Sequence, residues 1–268
     1  MPTVDNNGTT IYYEVHGEGS PIVFVHGSGG HHAAWWQQVA ALRDEHTIVT
    51  LDLRGFGNSD KDETYDSLNF PGDIVAVIED ADLTDAVLLG QSIGAAAALK
   101  AALRVPERVR GVILAHSLGG IDAPEVMPLV KADRAEAEKL PVIDRLLTKR
   151  FREEESAKTF LFTQMGTFNK ARMQDLRNLS SDGPTPGDVA GSGIRVAFLA
   201  GEKDAVLSPA TVTAAHALIE GSLLEIVPDA PHSMYWERPE QFNAAVKKLV
   251  DALAPVAVGA APAATKEA

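Results

Sequence analysis

The sequence predicts an α/β fold with a mostly parallel sheet and crossover helices. Short, β-branched apolar runs alternate with segments of helical periodicity from about residue 9 to residue 116, and again from residue 194 to residue 253. Between these stretches the pattern is helical and rich in charged residues, which predicts an insertion above the sheet. The length of 268 residues suits one large domain, or one domain that carries an insertion.

Seven strands are predicted in chain order. The first alternates between apolar and polar residues, as a strand with one face toward solvent does, and the second is a continuous apolar run typical of a buried strand. The predicted strands are Thr9–Val15, Pro21–Val25, Thr47–Leu53, Ala86–Leu89, Val109–His116, Ile194–Leu199 and Leu223–Val227.

Helical periodicity fills the segments between the strands. The second helix has a proline in its first turn, where the missing N–H costs little. The predicted helices of the alternating part are Ala33–Asp44, Pro71–Asp82, Ile93–Val105, Pro209–Ile219 and Pro239–Leu253. The predicted helices of the insertion are Lys131–Leu140, Ile143–Glu155, Ala157–Phe168 and Lys170–Leu179.

These elements predict a core formed by residues 1–118 and 191–254, with a helical cap over residues 119–190. The Ala- and Pro-rich residues 255–268 are predicted to be a disordered tail.

Composition and charge exclude several classes of protein. A net charge of −13 opposes binding to the phosphate backbone of nucleic acids and to anionic lipid. The chain has no cysteine, so disulfides, thiolate metal sites and a cysteine nucleophile are excluded. Neither a secretory signal at the N-terminus nor an apolar stretch long enough to span a bilayer is present, which predicts a cytoplasmic protein without membrane association. Oligomeric state is left open.

A Gly-x-Ser-x-Gly pentapeptide, Gly90 to Gly94, lies between a predicted strand and an alanine-rich helix. This strand–turn–helix context is typical of a nucleophile elbow, in which a tight turn strains the serine backbone and exposes its hydroxyl at the top of the sheet. We therefore predict Ser92 as a nucleophile. Gly90 and Gly94 are expected to be glycine because a side chain there would collide with the neighbouring strand and helix.

A nucleophilic serine needs a base and an acid that orients the base. In this architecture the chain order is serine, acid, histidine, and the groups follow the carboxyl ends of strands. His232 follows the last predicted strand and fits this order, so it is predicted as the base. Asp204, in the loop after Ile194–Leu199, is predicted as the acid.

Other titratable residues near strand ends receive less weight. Glu202 and Asp122 remain alternatives for the acid, whereas Asp229 is interpreted as a turn former. His216 lies within a predicted helix. His116 lies near a strand end but upstream of every candidate acid, which is the wrong order.

The glycine-rich loop His26 to Gly30 follows the second predicted strand, so its N–H groups can face a substrate. We predict that the backbone N–H groups of Ser28 and Ile93 form an oxyanion hole, with Gly29 as the alternative donor to Ser28. His26 is predicted to join loops and to transfer no proton.

Further substrate-binding residues are predicted around this loop and around the base. They are Gly27, Gly29, Trp36 and Met234. Among the cap residues, Met127, Phe160, Phe162, Met165 and Phe168 are expected to divide between core and pocket lining. No His, Asp or Glu cluster has metal-ligand spacing and no glycine loop precedes a lysine as in a P-loop, so neither a metal nor a cofactor is expected.

Together these motifs resemble the α/β-hydrolase fold superfamily nearly from end to end. The matching pieces are His26-Gly27-Ser28-Gly29-Gly30, the loop Asp52-x-Arg54-Gly55-x-Gly57-x-Ser59, the Gly90 to Gly94 elbow, Gly201-x-x-Asp204, and His232 in Ala230-Pro231-His232-Ser233-Met234. The resemblance implies a mostly parallel eight-stranded sheet flanked by helices, with a helical cap inserted after the sixth strand. It also implies a structural role for the loop Asp52 to Ser59.

We therefore predict a serine hydrolase that cleaves a small carboxylic ester or lactone through an acyl-enzyme on Ser92, with a small molecule as its partner. Hydrolases of carbon–carbon bonds in ring-cleavage products share the same residues and usually use a cap arginine to hold a substrate carboxylate. Perhydrolase-type haloperoxidases are a further alternative, and a small-lactone sensor is the alternative that is not an enzyme. Haloalkane dehalogenases and epoxide hydrolases are disfavoured because they carry aspartate at the elbow.

Overall fold

A computed structural model describes residues 2–254. Eight strands form one sheet in the order β1-β2-β4-β3-β5-β6-β7-β8. Strand β2 is antiparallel to β1 and β4, and the other neighbouring pairs are parallel. The strands are β1 Thr3–Asn6, β2 Thr9–His16, β3 Ser20–Val25, β4 His46–Leu51, β5 Ala86–Gln91, β6 Val109–Ala115, β7 Arg195–Gly201 and β8 Leu223–Val227.

The predicted fold class is confirmed, and the seven predicted strands are β2 to β8 within two residues at each end. Strand β1 was not predicted from the pattern. It has only four residues, none of them buried, and it pairs along its full length with β2 at the edge of the sheet. A short edge strand of this kind has no apolar period for a pattern search to detect.

Helices cover both faces of the sheet, and apolar side chains fill the two layers between them. Helices α2, α3 and α9 contribute to the core on one face, and α1 and α11 contribute to the core on the other. The helices of this part are α1 Trp36–Leu42, α2 Phe70–Asp80, α3 Ile93–Ala102, α9 Pro209–His216, α10 Met234–Glu237 and α11 Pro239–Ala252. None of the helices within residues 2–254 is long and apolar enough to cross a membrane.

The segment between β6 and β7 contains five short helices. They are α4 Met127–Ala137, α5 Val142–Leu146, α6 Lys149–Glu154, α7 Ser156–Met165 and α8 Pro186–Gly191. The predicted helix Ile143–Glu155 is two helices, because Thr148 leaves the helical conformation and its hydroxyl accepts from the N–H of Phe151 to begin α6.

The predicted helix Lys170–Leu179 is wrong. Only a single 3₁₀ turn, Met173–Asp175, forms there. The backbone on either side bonds to the loop after β4 instead: Ala171 N–H donates to Gly55 C=O over 2.7 Å, and Arg177 N–H donates to Tyr65 C=O over 3.0 Å. Tertiary backbone bonds therefore replace the i to i−4 bonds that the helical period predicted.

The domain boundaries at residues 118/119 and 190/191 stay predictions, although the five helices do lie between β6 and β7. The predicted tail, 255–268, lies outside the described residues.

Candidate active site

Ser92 lies in the turn between β5 and α3, with φ of 54° and ψ of −118°. A non-glycine residue rarely adopts positive φ, and such strain is held only where the surrounding structure fixes it. A Cβ on Gly90 would lie 2.4 Å from Cα of Ala95, and one on Gly94 would lie 2.5 Å from the carbonyl oxygens of Val25 and His26. The predicted reason for both glycines is confirmed, and the turn can form only with small residues there.

Sheet register brings the two predicted oxyanion loops together. Val25, the last residue of β3, pairs with Gly90 of β5, so the loop after β3 lies beside the elbow. The chain leaves this central pair in opposite directions, toward β4 on one side and β6 on the other. Ligands of open α/β sheets bind in the crevice at such a switch point, outside the carboxyl ends of the strands.

Asp204 and His232 meet across the loops after β7 and β8. His232 Nδ1 lies 2.9 Å from Oδ2 and 3.1 Å from Oδ1 of Asp204. Oδ1 also accepts the backbone N–H groups of Val206 at 2.8 Å and Leu207 at 3.0 Å. Both side chains are buried, and His232 is 4% exposed.

Ionic interactions keep the buried carboxyl of Asp204 charged. Burial by itself would raise the pKa of Asp204, but the electrostatic attraction of the His232 ring and hydrogen bonds from His116 and His232 hold this pKa well below its usual range. An ionised carboxylate only accepts hydrogen bonds, so each histidine presents a protonated Nδ1 to it. This fixes Nε2 of His232 as the atom free to take a proton.

His116, at the end of β6, is the partner of Asp204 that the sequence analysis missed. Its Nδ1 lies 2.9 Å from Oδ2 of Asp204, and its ring contacts the His232 ring edge-on at 5.5 Å between centroids. The sequence analysis rejected His116 as the base because it precedes every candidate acid in the chain. That order does not restrict a second histidine that only donates a hydrogen bond to the acid. The sequence did place His116 at the end of a strand. It lies one residue beyond Ala115, which pairs with Leu199 of β7, the strand that precedes Asp204.

Two backbone N–H groups at the elbow and in the loop beside it have no acceptor among the described residues. Within residues 2–254, neither the N–H of Ser28 nor that of Ile93 bonds to a protein acceptor. Ile93 is the first residue of α3, where the N–H groups of a helix have no intrahelical partner and the helix dipole favours negative charge. The pair therefore suits an oxyanion.

His26 joins two loops, as predicted. Its Nδ1 donates to Gly27 C=O over 2.8 Å, and its Nε2 accepts from the N–H of Leu53 over 3.1 Å. Burial lowers its pKa to about 4. Both nitrogens of this neutral ring are held by backbone groups, so His26 connects the loop after β3 to the loop after β4.

A cavity of about 340 Å³ joins the elbow to the inserted helices. Ser92 and His232 both line it, with no hydrogen bond between their side chains in the described chain. Apart from His232, its lining among residues 2–254 contains no titratable group except the phenol of Tyr235. The lining residues are Gly27, Ser28, Gly29, Gln91, Ser92, Val142, Ile143, Leu146, Phe162, Thr163, Gly166, His232, Ser233 and Tyr235.

Two predicted substrate-binding residues lie elsewhere. Trp36 is 48% exposed, packs edge-on against Trp236 and does not line the cavity. Met234 is fully buried in the core between the sheet, α1 and α11. Neither residue lines the cavity, because proximity in sequence to the loop or to the base does not fix which face of a helix a side chain occupies. Gly27 and Gly29 do line the cavity.

The predicted apolar cap residues divide between surface, core and cavity. Phe162 lines the cavity and stacks edge-on with Trp236 at 5.4 Å. Met165 is buried in the core, and Phe160 and Phe168 are 66% and 70% exposed. Met127 is 41% exposed at the start of α4.

Two clusters of possible metal ligands arise that sequence spacing did not indicate, contrary to the expectation of none. They are His116, Asp204 and His232, and separately His31, His32 and Asp52, with ligand atoms within 4.8 Å in each. In the first cluster both histidines bond to Asp204. In the second, His32 Nδ1 lies 2.9 Å from each oxygen of Asp52, whereas the buried Nε2 of His31 has no hydrogen-bond partner among the described residues. Each draws on separate loops, which is why spacing could not reveal it.

Four hydrogen bonds tie the inserted helices to the segment that follows His232, among them the bond from Trp236 Nε1–H to Lys158 C=O in α7 over 3.2 Å. Ser233 N–H donates to Leu146 C=O at the end of α5 over 3.0 Å. Glu237 accepts from the backbone N–H and the hydroxyl of Thr148 over 2.8 and 2.6 Å. The wall of the cavity and the loop that carries His232 are thus directly connected.

A mostly parallel eight-stranded sheet with a serine elbow and an Asp–His pair at its carboxyl edge defines the class of α/β hydrolases. The model of the alpha/beta hydrolase family matches residues 22–245. The chain belongs to this family and is an enzyme of the hydrolase type.

Named relatives agree with this class. The chain is 30% identical over 263 residues to BpoC of Mycobacterium tuberculosis, provisionally named a non-heme bromoperoxidase, with 89% of this chain and 96% of BpoC covered. It is 32% identical over 123 residues to RutD of Azorhizobium caulinodans, provisionally named a carbamate hydrolase. That match covers 46% of each protein, so it spans about half the length of RutD.

Solved structures share the fold. An esterase from Thermogutta terrifontis superimposes with a TM-score of 0.78 at 23% identity, covering 94% of this chain and 98% of the esterase. Other similar structures include an N-acyl homoserine lactone degrading enzyme, an enol-lactonase and a meta-cleavage product hydrolase.

Proposed function

We propose that this enzyme hydrolyses a small, uncharged carboxylic ester or lactone through an acyl-enzyme on Ser92. One observation carries the proposal: a single cavity contains the strained serine, the histidine paired to a buried carboxylate, and the loop whose free N–H lies beside the elbow. These are the nucleophile, base and electrophilic groups that acyl transfer requires.

In the proposed first half-reaction, the Ser92 hydroxyl oxygen attacks the carbonyl carbon while His232 Nε2 takes the hydroxyl proton. Asp204 stabilises the resulting imidazolium. His232 then gives that proton to the departing alkoxide oxygen, and the acyl group remains on Ser92. An ester releases its alcohol at this step, whereas the alcohol of an opened lactone stays attached to the acyl group. Water attacks the acyl-enzyme, His232 takes the water proton and returns it to Ser92, and the carboxylic acid leaves.

The N–H groups of Ser28 and Ile93 would hold the negative oxygen of the tetrahedral intermediate. Loss of one such donor typically raises the barrier by about 3 kcal/mol. No cofactor takes part in this scheme, because the nucleophile, the base and the oxyanion donors all come from the chain.

The cavity lining supports an uncharged substrate. Its walls are mainly Val142, Ile143, Leu146, Phe162 and Tyr235. Among residues 2–254, none of the arginines of the inserted segment lines the cavity; Arg150 pairs with Glu154 and Arg152 with Asp144. A carbon–carbon hydrolase would usually need such an arginine, so this lining favours esters and lactones. We propose that residues 119–190 act as the cap that selects the acyl group.

The relationship to BpoC favours perhydrolysis as a second candidate. In that reaction hydrogen peroxide takes the place of water, and the acyl-enzyme yields a peracid and free Ser92. The first half-reaction is the same, so both candidates need the same serine.

The test is turnover of p-nitrophenyl butyrate by the wild-type chain and by Ser92→Ala. We expect the substitution to lower kcat at least about 10⁴-fold, because the nucleophile is removed. A brief quench should show the butyryl group on Ser92 by mass spectrometry. Adding hydrogen peroxide and measuring peracid separates the second candidate from the first.

Ser156→Ala is the matched control, because Ser156 is exposed at the start of α7 and does not line the cavity. It should keep wild-type turnover. Retained turnover in Ser92→Ala would refute the assignment. A single slow turnover across esters and lactones, with movement of the inserted helices on ligand binding, would indicate a lactone sensor instead.

A further inference from the structure

We propose that His116 is a positioning residue for the active-site carboxylate: its Nδ1–H holds Oδ2 of Asp204, the oxygen that also accepts from His232. The inference rests on the proposed function of Ser92, Asp204 and His232. It adds a fourth side chain, supplied by β6, to the three that the sequence predicts.

The fold aims His116 at this oxygen. Its backbone N–H donates to Leu199 C=O of β7 over 2.7 Å, one step beyond the last pair of the β6–β7 ladder. Its φ of 55° then turns the chain out of the strand. The side chain is fully buried and reaches Asp204 at 2.9 Å.

His116 donates but cannot exchange its proton in the reaction. The titratable groups that act on it are Asp204, after β7, and His232, after β8. Burial lowers its pKa despite the neighbouring carboxylate, so the ring is neutral with its one proton on Nδ1. Nε2 is buried and, within residues 2–254, has no hydrogen-bond partner. It therefore has no route to the cavity.

Two consequences follow for Asp204. Oδ1 is held by the N–H groups of Val206 and Leu207, and Oδ2 is held by His116, so the carboxylate cannot rotate away from His232. The His116 N–H also withdraws charge from Oδ2, which makes the carboxylate a weaker acceptor for the imidazolium of His232. Removing this donor should loosen the geometry and strengthen the attraction.

The test compares His116→Leu with His116→Asn, two side chains of nearly equal shape. Asn keeps an N–H close to the position of Nδ1 and tolerates positive φ, whereas Leu offers no donor. We expect His116→Leu to lower kcat for p-nitrophenyl butyrate about tenfold, with KM changed less than about twofold. The acidic limb of its kcat/KM profile should move up by about half a pH unit. His116→Asn should restore both to near wild type.

A second readout does not depend on the substrate. Phenylmethylsulfonyl fluoride sulfonylates a nucleophilic serine with loss of fluoride, and its rate against pH should show the same shift in His116→Leu. A wild-type profile in a folded His116→Leu, or equal loss in both variants, overturns the role of His116. Failure of the wild-type chain to react would instead overturn the proposed function. Thermal unfolding of each variant identifies a variant that does not fold.

Discussion

At the residue scale, the site combines charge that must stay buried with rings that must stay neutral. Asp204 is the charged member, and five polar contacts surround its two oxygens. His26 and His116 are buried imidazoles whose pKa values burial lowers. Protonation of either ring would place a second charge in the interior. The folded state is therefore expected to lose stability at low pH.

For His26 the size of this loss of folding stability at low pH follows from its pKa. Burial lowers its pKa from 6.5 to about 4, so between these values the unfolded chain binds a proton that the folded chain does not. Stability therefore falls as pH drops from about 6.5 to about 4, by about 3 kcal/mol from this group. Urea unfolding of wild type and His26→Asn across that range measures the difference.

The Asn variant can still donate to Gly27 C=O but loses the acceptor for Leu53, so it should be less stable at pH 7 by about 1–3 kcal/mol. Its stability should then decline less steeply toward pH 4 than that of the wild type. Parallel curves for the two proteins would contradict the assignment of this proton to His26.

Sequence reasoning selected three residues that the fold brings to the candidate site, and it failed at other positions for two reasons. Ser92, Asp204 and His232 stand in a fixed order after strands, so order was enough to select them. His116 is a third group on the same carboxylate, and order excluded it. Trp36 and Met234 were placed by nearness along the chain, whereas helix rotation decides which side chains reach a cavity.

At the element scale, the elbow depends on how closely α3 approaches the sheet. A Cβ on Gly90 would press on backbone atoms of Ala95 and Gly94, which cannot move like the end of a side chain. We expect Gly90→Ala to lower the free energy of unfolding by about 3 kcal/mol or more. Chemical denaturation measures this loss.

Gly191→Ala is the comparison variant. Gly191 is exposed at the end of α8, its φ is not positive, and a Cβ there meets nothing within 4 Å. This change should be neutral, or stabilising by up to about 1 kcal/mol, because alanine favours helix. Equal effects of the two substitutions would show that Gly90 is not sterically constrained.

Elements of the sheet were predictable because buried strands carry continuous apolar runs. The helices of the inserted segment were harder to predict from the sequence. Its helical period between residues 170 and 179 is real, but Gly55 and Tyr65 take up the backbone N–H groups that a helix would use. The structure of that segment therefore depends on hydrogen bonds to a loop distant in sequence, which a local sequence pattern cannot predict.

At the scale of the whole molecule, the net charge of −13 surrounds a cavity with an apolar lining. An anionic ester approaches against this field, and a neutral ester does not. For an anionic ester, kcat/KM should rise about threefold or more between about 0.01 and 1 M salt, where the Debye length falls from about 30 to about 3 Å.

The matched substrate is the neutral ester with an acyl chain of the same length, whose kcat/KM should change little over that range. An anionic ester that is hydrolysed faster at low salt would indicate a local positive site in the cavity. It would also contradict the proposed preference for uncharged substrates.

The hydrogen bonds from Ser233 to Leu146 and from Thr148 to Glu237 have a mechanical consequence. These bonds couple the inserted helices above the cavity directly to the loop that carries His232. Under the proposed function, an acyl group large enough to displace α5 would also displace the peptide next to His232. Selection of the acyl group would then depend on the position of the base as well as on the space in the cavity.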